Sequence, residues 1–298
     1  MKSFSLFLKE ILQYTAAIIG KALRGACKVN LPKSLYSHLY FKGKFTVPIN
    51  NNFITIDHFG DTISNDIYYS GIFGNYEGHS LMLWNRMCLS LDESIVMDIG
   101  AYSGIYSLVA ASANQKIEIH AFEPHPNTFK VLKNNIAVNP FENIFLNNFA
   151  LSDTDGEILF YNSLGNAPSG FSAVNHRNIN KNSTTKICNG KDALKILNTD
   201  LYGKRISLIK IDIERAELPL LSIMIDRIIH DRTIVLSEIL DEEDFEHFDE
   251  LFTKNGFYAV KIIDQDHTIK ILNSLKGTKR EGFNIIFAPS EVDPKIFY

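Results

Sequence analysis

The chain has 298 residues, of which 45% are hydrophobic and 21% are charged, and its formal net charge is −4. This composition is that of a globular protein long enough for one large α/β domain with additions. It argues against a nucleic-acid partner, because such proteins carry clustered Lys and Arg that displace counterions. The three cysteines, Cys27, Cys88 and Cys188, lack a Cys-x-x-Cys spacing, which fits a reducing cytoplasm and argues against a structural zinc site.

Residues 1–30 are predicted to form an amphipathic helix. Apolar residues recur at helical spacing within residues 4–24, but the uncharged stretch 11–20 is too short to span a bilayer. The charged pair Lys9-Glu10 also interrupts any signal-peptide core. Two alternatives stay open. Either the helix packs against protein, on the domain or in a dimer, or it lies on a membrane surface as a peripheral contact.

Residues 31–93 are predicted to be a mixed helical and β extension. The segments 45–47 and 53–59 indicate two short strands, which the turn 50–52 joins, and 80–91 is helix-like.

From residue 94 to residue 298, strands and helices alternate in one predicted domain. Strands are predicted at 94–99, 117–122, 143–148, 157–161, 206–212 and 233–239. Helices are predicted at 104–113, 126–138, 191–198, 215–229 and 243–255. Two strands, 257–264 and 283–288, close the chain, with a hairpin-like segment at 268–272. The polar stretch 162–190 is predicted to be a long loop. This alternation predicts a mostly parallel sheet with helices on both faces.

Three apolar, β-branched runs each end in a carboxylate, at Asp98, Glu123 and Asp212. Carboxylates at the carboxyl ends of parallel strands face the ligand crevice of an open sheet. The first turn lacks the G-x-G-x-x-G spacing of nicotinamide enzymes, and a carboxylate ahead of a glycine suits a positively charged ligand such as a sulfonium. Glu123 stands where an acidic residue binds ribose hydroxyls. The alternatives are a buried structural Asp98 and a surface Glu123.

An ordered set of motifs makes the interpretation more specific. The motifs are Asp98-Ile-Gly-Ala-Tyr-Ser-Gly104, Ala121-Phe-Glu-Pro-His-Pro126, Asn134-Asn135, Ala150-Leu-Ser-Asp153 with Gly156, Ile209-Lys-Ile-Asp-Ile-Glu-Arg-Ala-Glu217 and, upstream, Gly74-Asn-Tyr-Glu77. Together, over residues 66–240, they resemble the FkbM family of S-adenosylmethionine-dependent methyltransferases. The resemblance implies a class I methyltransferase (Rossmann-like) fold with seven strands, the last antiparallel. It also implies S-adenosylmethionine as cofactor and O-methylation of sugars, polysaccharides or polyketides.

The resemblance also assigns cofactor contacts by position. Asp98, Gly100, Tyr102 and Gly104 would line the methionine part, Glu123 would bind the ribose, Asn148 and Phe149 would lie near the adenine, and Glu77 would close over the cofactor. One position departs from the family pattern. Arg215 stands where the family usually has glycine, so it would either block a substrate or anchor an anionic one.

Methyl transfer to an alcohol benefits from a positioned base. Asp212 is the first candidate, Glu238 the second, and His176 the third, although a histidine in a polar loop is more often simply solvated. Glu214 and Arg215 are predicted beside the acceptor. The carboxylates could alternatively hold a divalent cation, but no His/Asp pattern has ligand spacing, so no metal site is assigned.

In the long loop, Phe171 is predicted to stack on a sugar ring and Ser172 to bond a hydroxyl, unless the loop is a disordered insert. The overall prediction is a cytoplasmic O-methyltransferase that acts on a small-molecule or glycan acceptor and not on nucleic acid. Two alternatives stay open: a non-catalytic binding protein on the same scaffold, and a nicotinamide-dependent dehydrogenase.

Overall fold

The computed structural model describes residues 33–36, 42–162, 171–172, 184–197 and 204–298, together with positions 12, 15, 18, 19 and 22. The five isolated positions are helical, and among them Leu12, Ile18 and Ile19 are 64%, 51% and 54% exposed. Within the described part of the chain, no helix is long and apolar enough to cross a membrane.

The described residues of the N-terminal extension form a β-hairpin and three helices. Strands β1 (Gly43–Ile49) and β2 (Asn52–His58) pair antiparallel, and the helices are α1 (Lys33–Tyr36), α2 (Thr62–Ser70) and α3 (Gly78–Leu89). Alternate residues of β1 are buried, as expected of a strand that covers a core with one face. The hairpin is tied to the rest of the molecule, since the Asn135 and Asn139 side chains accept hydrogen bonds from the Asp57 and Thr55 amides at 2.8 Å.

The main sheet has eight strands. They are β3 (Ile95–Ile99), β4 (Glu118–Phe122), β5 (Ile144–Asn147), β10 (Ile206–Ile211), β11 (Ile234–Glu238), β12 (Phe257–Ile263), β13 (Thr268–Leu272) and β14 (Asn284–Pro289). Their order is β13-β12-β14-β11-β10-β3-β4-β5. The five strands from β11 to β5 are parallel, and β14, β12 and β13 are joined by antiparallel pairings. This confirms the predicted mostly parallel sheet.

The prediction of seven strands is wrong by one. The hairpin-like segment after β12 folds back and pairs with it in antiparallel register, with Val260 opposite Ile271. It therefore adds an eighth strand at the sheet edge, since the edge of β12 would otherwise expose unpaired backbone groups.

Helices cover both faces of the sheet. They are α4 (Ile105–Ala113), α5 (Pro126–Ala137), the short α6 (Ala193–Lys195), α7 (Glu217–Asp231) and α8 (Phe245–Thr253). Successive strand residues point into different cores. Val96 and Leu208 pack with α3, α4 and α5, whereas Met97 and Ile209 pack with α7 and α8. Strands buried on both faces have continuous apolar sequences, which is why β3 and β10 are recognisable in the sequence.

A second sheet lies beside the main one. Strands β6 (Ala150–Ser152), β7 (Gly156–Asn162), β8 (Phe171–Ser172) and β9 (Thr184–Asp192) are arranged in the order β6-β9-β7-β8. The predicted loop 162–190 is therefore wrong at its end, because residues 184–190 pair antiparallel with β7. The predicted helix 191–198 is shortened for the same reason, and α6 begins only after Asp192, whose side chain accepts from the Leu194 and Lys195 amides.

Candidate active site

A cavity of about 500 Å³ opens at the carboxyl ends of the parallel strands. This volume is within the range of small-molecule sites. The loops that follow β3, β4, β10 and β11 line it, together with the residues just before α3 and the start of the second sheet. Lining residues with polar groups include Tyr76, Glu77, Tyr102, Ser103, Glu123, Lys210, Asp212, Glu214 and Glu238.

The turn after β3 requires glycine at its first position. Gly100 has φ +78°, and a Cβ there would lie 1.8 Å from the Asp212 carbonyl oxygen. The Gly100 and Ala101 amides donate to the Phe122 carbonyl at 3.0 and 2.9 Å. Glycine thus lets the turn approach the end of β10, which brings two cavity walls together.

Glu123 holds this turn from the end of β4. Its two oxygens accept from the Tyr102 amide at 3.0 Å and from the His125 amide at 2.9 Å. Burial raises the Glu123 pKa to about 7, although both amides oppose the shift. A carboxylate has about four acceptor sites, so Glu123 retains acceptor capacity toward the cavity that it lines.

Three predicted cofactor residues lie outside the cavity lining. Asp98 is fully buried below it, where the Ser107 hydroxyl donates to Oδ2 at 2.6 Å. Gly104 begins α4 at φ +85° and packs on α5, since a Cβ would lie 2.6 Å from Leu132 Cδ1. Asn148 is exposed and donates to the Glu123 carbonyl at 2.8 Å. Gly104 and Asn148 shape the strand ends, because their contacts are made within the fold. Asp98 Oδ1 has no hydrogen-bond partner among the described residues and lies 3.9 Å from the Lys210 ammonium.

Other predicted contacts do line the cavity. Phe149 lies in its wall and packs edge-on against Phe122, with ring centroids 5.6 Å apart. Glu77 begins α3 with φ +40°, and its Oε2 accepts from the Tyr106 hydroxyl at 2.7 Å. Burial and, secondarily, Asp212 raise the Glu77 pKa to about 7.

Asp212 and Glu238 lie together in the cavity at the ends of β10 and β11. Burial first, and then the neighbouring Asp212 carboxylate, raise the Glu238 pKa well above its ordinary value. A protonated Glu238 hydrogen-bonds Asp212. Glu238 therefore keeps its proton near neutral pH, because burial and a nearby negative charge both disfavour its ionised form.

Glu214 and Arg215 occupy a strained turn after β10. Their φ angles are +58° and +80°, in the left-handed region that favours glycine. Glu217 supports the turn, because its Oε1 accepts from the Ile213 and Arg215 amides at 2.7 and 3.2 Å. Glu214 lines the cavity, and burial raises its pKa to about 7. The Arg215 side chain is directed elsewhere and pairs with Asp241, so it neither blocks the cavity nor lines it.

Sequence reasoning missed Lys210. Its ammonium lies 3.0 Å from the Gly100 carbonyl oxygen, 3.3 Å from Asp212 Oδ2 and 3.9 Å from Asp98 Oδ1. The signal was present, since Lys210 is the one charged residue in the fully buried strand Ile206–Ile211. Tyr76 was also missed, and it lines the cavity beside Glu77.

The remaining predicted site residues lie outside the part of the chain that can be described. His176 is outside the described residues, and so are the side chains of Phe171 and Ser172, whose backbone forms β8. Among the described residues, no group of three or more His, Cys, Asp or Glu has the arrangement of a metal site.

Comparison with known families identifies the family of this chain. The model of the Methyltransferase FkbM domain matches residues 98–258, more than half of the chain. The chain belongs to the FkbM methyltransferase family. It is therefore a methyltransferase with a class I fold, and S-adenosylmethionine is its methyl donor. No curated protein matches the chain.

Solved structures of similar fold are distant. Methyltransferase FkbM from Methylobacillus flagellatus KT is 12% identical, with a TM-score of 0.42 over 76% of this chain, which spans only 55% of that protein. A SAM-dependent methyltransferase from Agrobacterium tumefaciens is 12% identical, with a TM-score of 0.42 and coverage of 84% and 71%. M. jannaschii TYW2 in complex with AdoMet is 11% identical, with a TM-score of 0.40 and coverage of 83% and 87%. The family assignment rests on the family match alone.

The residues present fit S-adenosylmethionine. S-adenosylmethionine carries a positive sulfonium. The cavity wall carries the carboxyl groups of Glu77, Asp212, Glu214 and Glu238, and Lys210 is the single ammonium among its described residues. Glu123 presents free acceptor sites to a ribose diol. The Ser103 hydroxyl, buried in the same wall, has no hydrogen-bond partner within the described protein. It is therefore a polar group left for a ligand.

Proposed function

We propose that this chain transfers the methyl group of S-adenosylmethionine to a hydroxyl group of a sugar, a polysaccharide precursor or a related secondary-metabolite acceptor. The observation that carries this proposal is the Asp212–Glu238 pair at the cavity wall. An alcohol is a weak nucleophile that needs its proton removed, and a positioned carboxylate supplies this function. The acceptor class follows from the family resemblance.

Asp212 acts as the base in this proposal. When bound, S-adenosylmethionine supplies an electrophilic methyl group on sulfur. Glu238 keeps its proton and donates a hydrogen bond to Asp212, which leaves Asp212 as the proton acceptor of the pair. The Asp212 carboxylate accepts the hydroxyl proton, which leaves the acceptor oxygen free to attack. Glu123, Tyr102 and the Gly100 turn hold the donor, and alignment of donor and acceptor contributes to the rate.

The first experiment is calorimetric titration of the chain with S-adenosylmethionine, beside the Glu123→Ala variant. Saturable binding that the substitution weakens supports the donor site. The second uses donor labelled in its methyl group with a panel of neutral sugars, sugar nucleotides, oligosaccharides and, as negative controls, DNA and RNA. Label transfer to nucleic acid alone would overturn the proposal. Absence of donor binding by folded protein would favour a non-catalytic scaffold.

We also propose that the N-terminal helix contacts an anionic lipid surface. Leu12, Ile18 and Ile19 are exposed, and helical spacing places them on one face. Residues 1–30 carry five basic residues and one acidic residue, a net charge of +4 on a chain whose total is −4. An exposed apolar face in a segment of net positive charge suits binding to anionic headgroups, at about 1 kcal/mol per basic residue near the surface.

The test is co-sedimentation of the full chain with vesicles of phosphatidylcholine, with and without phosphatidylserine. We expect pelleting that requires phosphatidylserine and that Ile18→Ser with Ile19→Ser abolishes. An exposed Phe53→Ser variant on the hairpin is the matched control. If the same double variant instead converts a dimer to a monomer in sedimentation velocity, with no vesicle binding by the wild type, the face is a protein interface.

A further inference from the structure

Lys210 is the charged group that links the two walls of the cavity. Its partners come from different strands. Gly100 follows β3, Asp98 lies within β3, and Asp212 follows β10. Lys210 and Asp98 are direct neighbours in the parallel register, so both side chains lie on the same face of the sheet. From one buried position, the ammonium thus contacts both the turn after β3, at Gly100, and the proposed base, Asp212.

The surroundings keep this lysine charged. Burial alone would lower the Lys210 pKa, but Asp212, Asp98 and Glu77 outweigh it, and the pKa is raised above its ordinary value. The Tyr106 ring lies 5.1 Å from the ammonium. A protonated amine has no lone pair, so Lys210 is neither a base nor a methyl acceptor. Its available actions are to donate hydrogen bonds and to stabilise negative charge.

Four carboxyl groups at or below the cavity wall feel this charge. Lys210 opposes the upward pKa shifts of Glu77, Glu123, Glu214 and Asp98. Glu238 faces Asp212 from β11, Glu217 faces it from α7, and Tyr76 and Tyr106 complete the titratable surroundings. Without a central cation, this cluster would lower its charge by taking up protons.

We propose that Lys210 is the positioning residue of this enzyme. Its ammonium fixes the turn after β3 through the Gly100 carbonyl and holds the Asp212 side chain in place for the acceptor hydroxyl. It also balances the negative charge of Asp212 and of the buried Asp98. This inference rests on the proposed role of Asp212. Lys210 would then couple the wall that binds S-adenosylmethionine to the wall that binds the methyl acceptor, because its ammonium donates hydrogen bonds to both.

The chain contains a matched control. Lys261, on β12, is also a buried strand lysine, at 3% exposure against 6% for Lys210. Its ammonium donates to the Thr278 hydroxyl at 2.8 Å and to the Lys279 carbonyl, outside the cavity lining. Lys261→Met removes a buried ammonium of similar packing without touching the site. Lys210→Arg keeps the charge at the site.

The experiment measures proton release when S-adenosylmethionine binds, by calorimetry at pH 7 in buffers of different ionisation enthalpy. A cation entering the cavity favours ionised carboxylates, so the wild type releases protons. Lys210→Met starts with more protonated carboxylates, and we expect at least half a proton more to be released per site. Lys210→Arg and Lys261→Met should match the wild type. Equal release by Lys210→Met would overturn the proposal.

A second readout needs no ligand. In Lys210→Met the buried Asp98 loses its cation, so adding Asp98→Asn should recover most of the loss in melting temperature. If the two losses simply add, Lys210 and Asp98 are not coupled and the proposal fails. Failure of the proposed function would look different, because the wild type itself would then bind no donor or modify no hydroxyl.

Discussion

Two buried lysines show how differently the two halves of the main sheet are built. The parallel half comprises β11, β10, β3, β4 and β5, and the antiparallel half comprises β14, β12 and β13. Lys210 lies on the parallel half and faces carboxylates, which raise its pKa against the effect of burial. Lys261 lies on the antiparallel half, where neutral oxygens of Thr278 and Lys279 accept its hydrogen bonds and burial lowers its pKa. The pKa values of two lysines of similar low exposure are thus shifted in opposite directions, according to the charge around each.

The acidic residues follow the same division. On the antiparallel half they form ion pairs at the surface, as in Arg232–Glu291 and Lys270–Glu281. At the carboxyl ends of the parallel strands they are buried close to one another and their pKa values are raised. Parallel strands place all their carboxyl ends at one edge, so loop residues converge there. The parallel half therefore concentrates unfavourable charge that a cationic ligand relieves.

The largest expected effect is that of Asp212→Asn. It removes the proposed base from the parallel half, and methyl transfer should fall by about 10²- to 10⁴-fold. Donor binding, measured by calorimetry, should persist. Asp249→Asn is the control on the antiparallel half, where that carboxylate accepts from the Leu275 amide. It should reduce stability and leave the rate per folded enzyme unchanged. Equal rate losses in both variants would contradict the assignment.

A pH dependence of stability comes next. The Glu77 pKa is about 7 in the folded protein, above its ordinary 4.5. The folded protein therefore holds a proton on Glu77 that the unfolded chain releases at lower pH. The contribution of this proton to the free energy of unfolding is full below pH 4.5 and is lost as the pH rises through 7. At about 1.4 kcal/mol per pKa unit, it amounts to about 3 kcal/mol.

The Glu77→Gln variant measures this contribution. The melting temperature of the ligand-free wild type should fall between pH 5 and pH 8, and Glu77→Gln should flatten that fall by roughly 5 °C. The comparison variant is Glu281→Gln, whose carboxylate has a lowered pKa through its hydrogen bond with Lys270. Glu281→Gln should leave the fall in melting temperature between pH 5 and pH 8 unchanged. An unchanged slope in Glu77→Gln would show that Glu77 is ionised throughout this range.

Glu123→Gln should weaken donor binding about 10- to 100-fold, the cost of one hydrogen bond to a charged group. The reason is that an amide replaces a carboxylate that both holds the Tyr102 amide and lines the cavity. Calorimetry measures the change in Kd. Glu291→Gln, which breaks the pair with Arg232 on the antiparallel side, should leave the Kd within twofold.

The smallest effect is expected for Arg215→Gly. Glycine relieves a left-handed conformation, worth about 1–2 kcal/mol, while the half-exposed pair with Asp241 is worth about 0–1 kcal/mol. Stability should therefore rise by about 0–2 kcal/mol, and donor affinity should stay constant. Arg232→Gly also replaces a left-handed arginine, but it loses bonds to Asn255, Gly256 and Glu291. A loss of stability is expected there instead, which denaturant unfolding checks.

Much of the parallel half was predictable from the sequence because its signals are local. Continuous apolar runs identify β3, β4, β10 and β11, and the carboxyl groups at the ends of the last three, Glu123, Asp212 and Glu238, identify the cavity edge. The antiparallel half was less predictable. Thr268–Leu272 was recognisable only as a hairpin-like segment, and the structure makes it an edge strand paired with β12. In the second sheet, the pairing of Thr184–Asp192 with β7 joins residues at least 22 positions apart. Short polar strands carry little periodicity to reveal such pairing.

The sequence by itself determined the family, the cofactor and the carboxylates that end the strands, since motif order and residue chemistry are written along the chain. Only the tertiary structure decided which of them line the cavity. It placed Asp98 below the cavity, turned Arg215 toward Asp241 and brought Lys210 between two walls. These outcomes depend on side-chain direction and on neighbours more than a hundred residues away in the sequence. Burial then set the protonation of Glu77 and Glu238, which no residue type specifies alone.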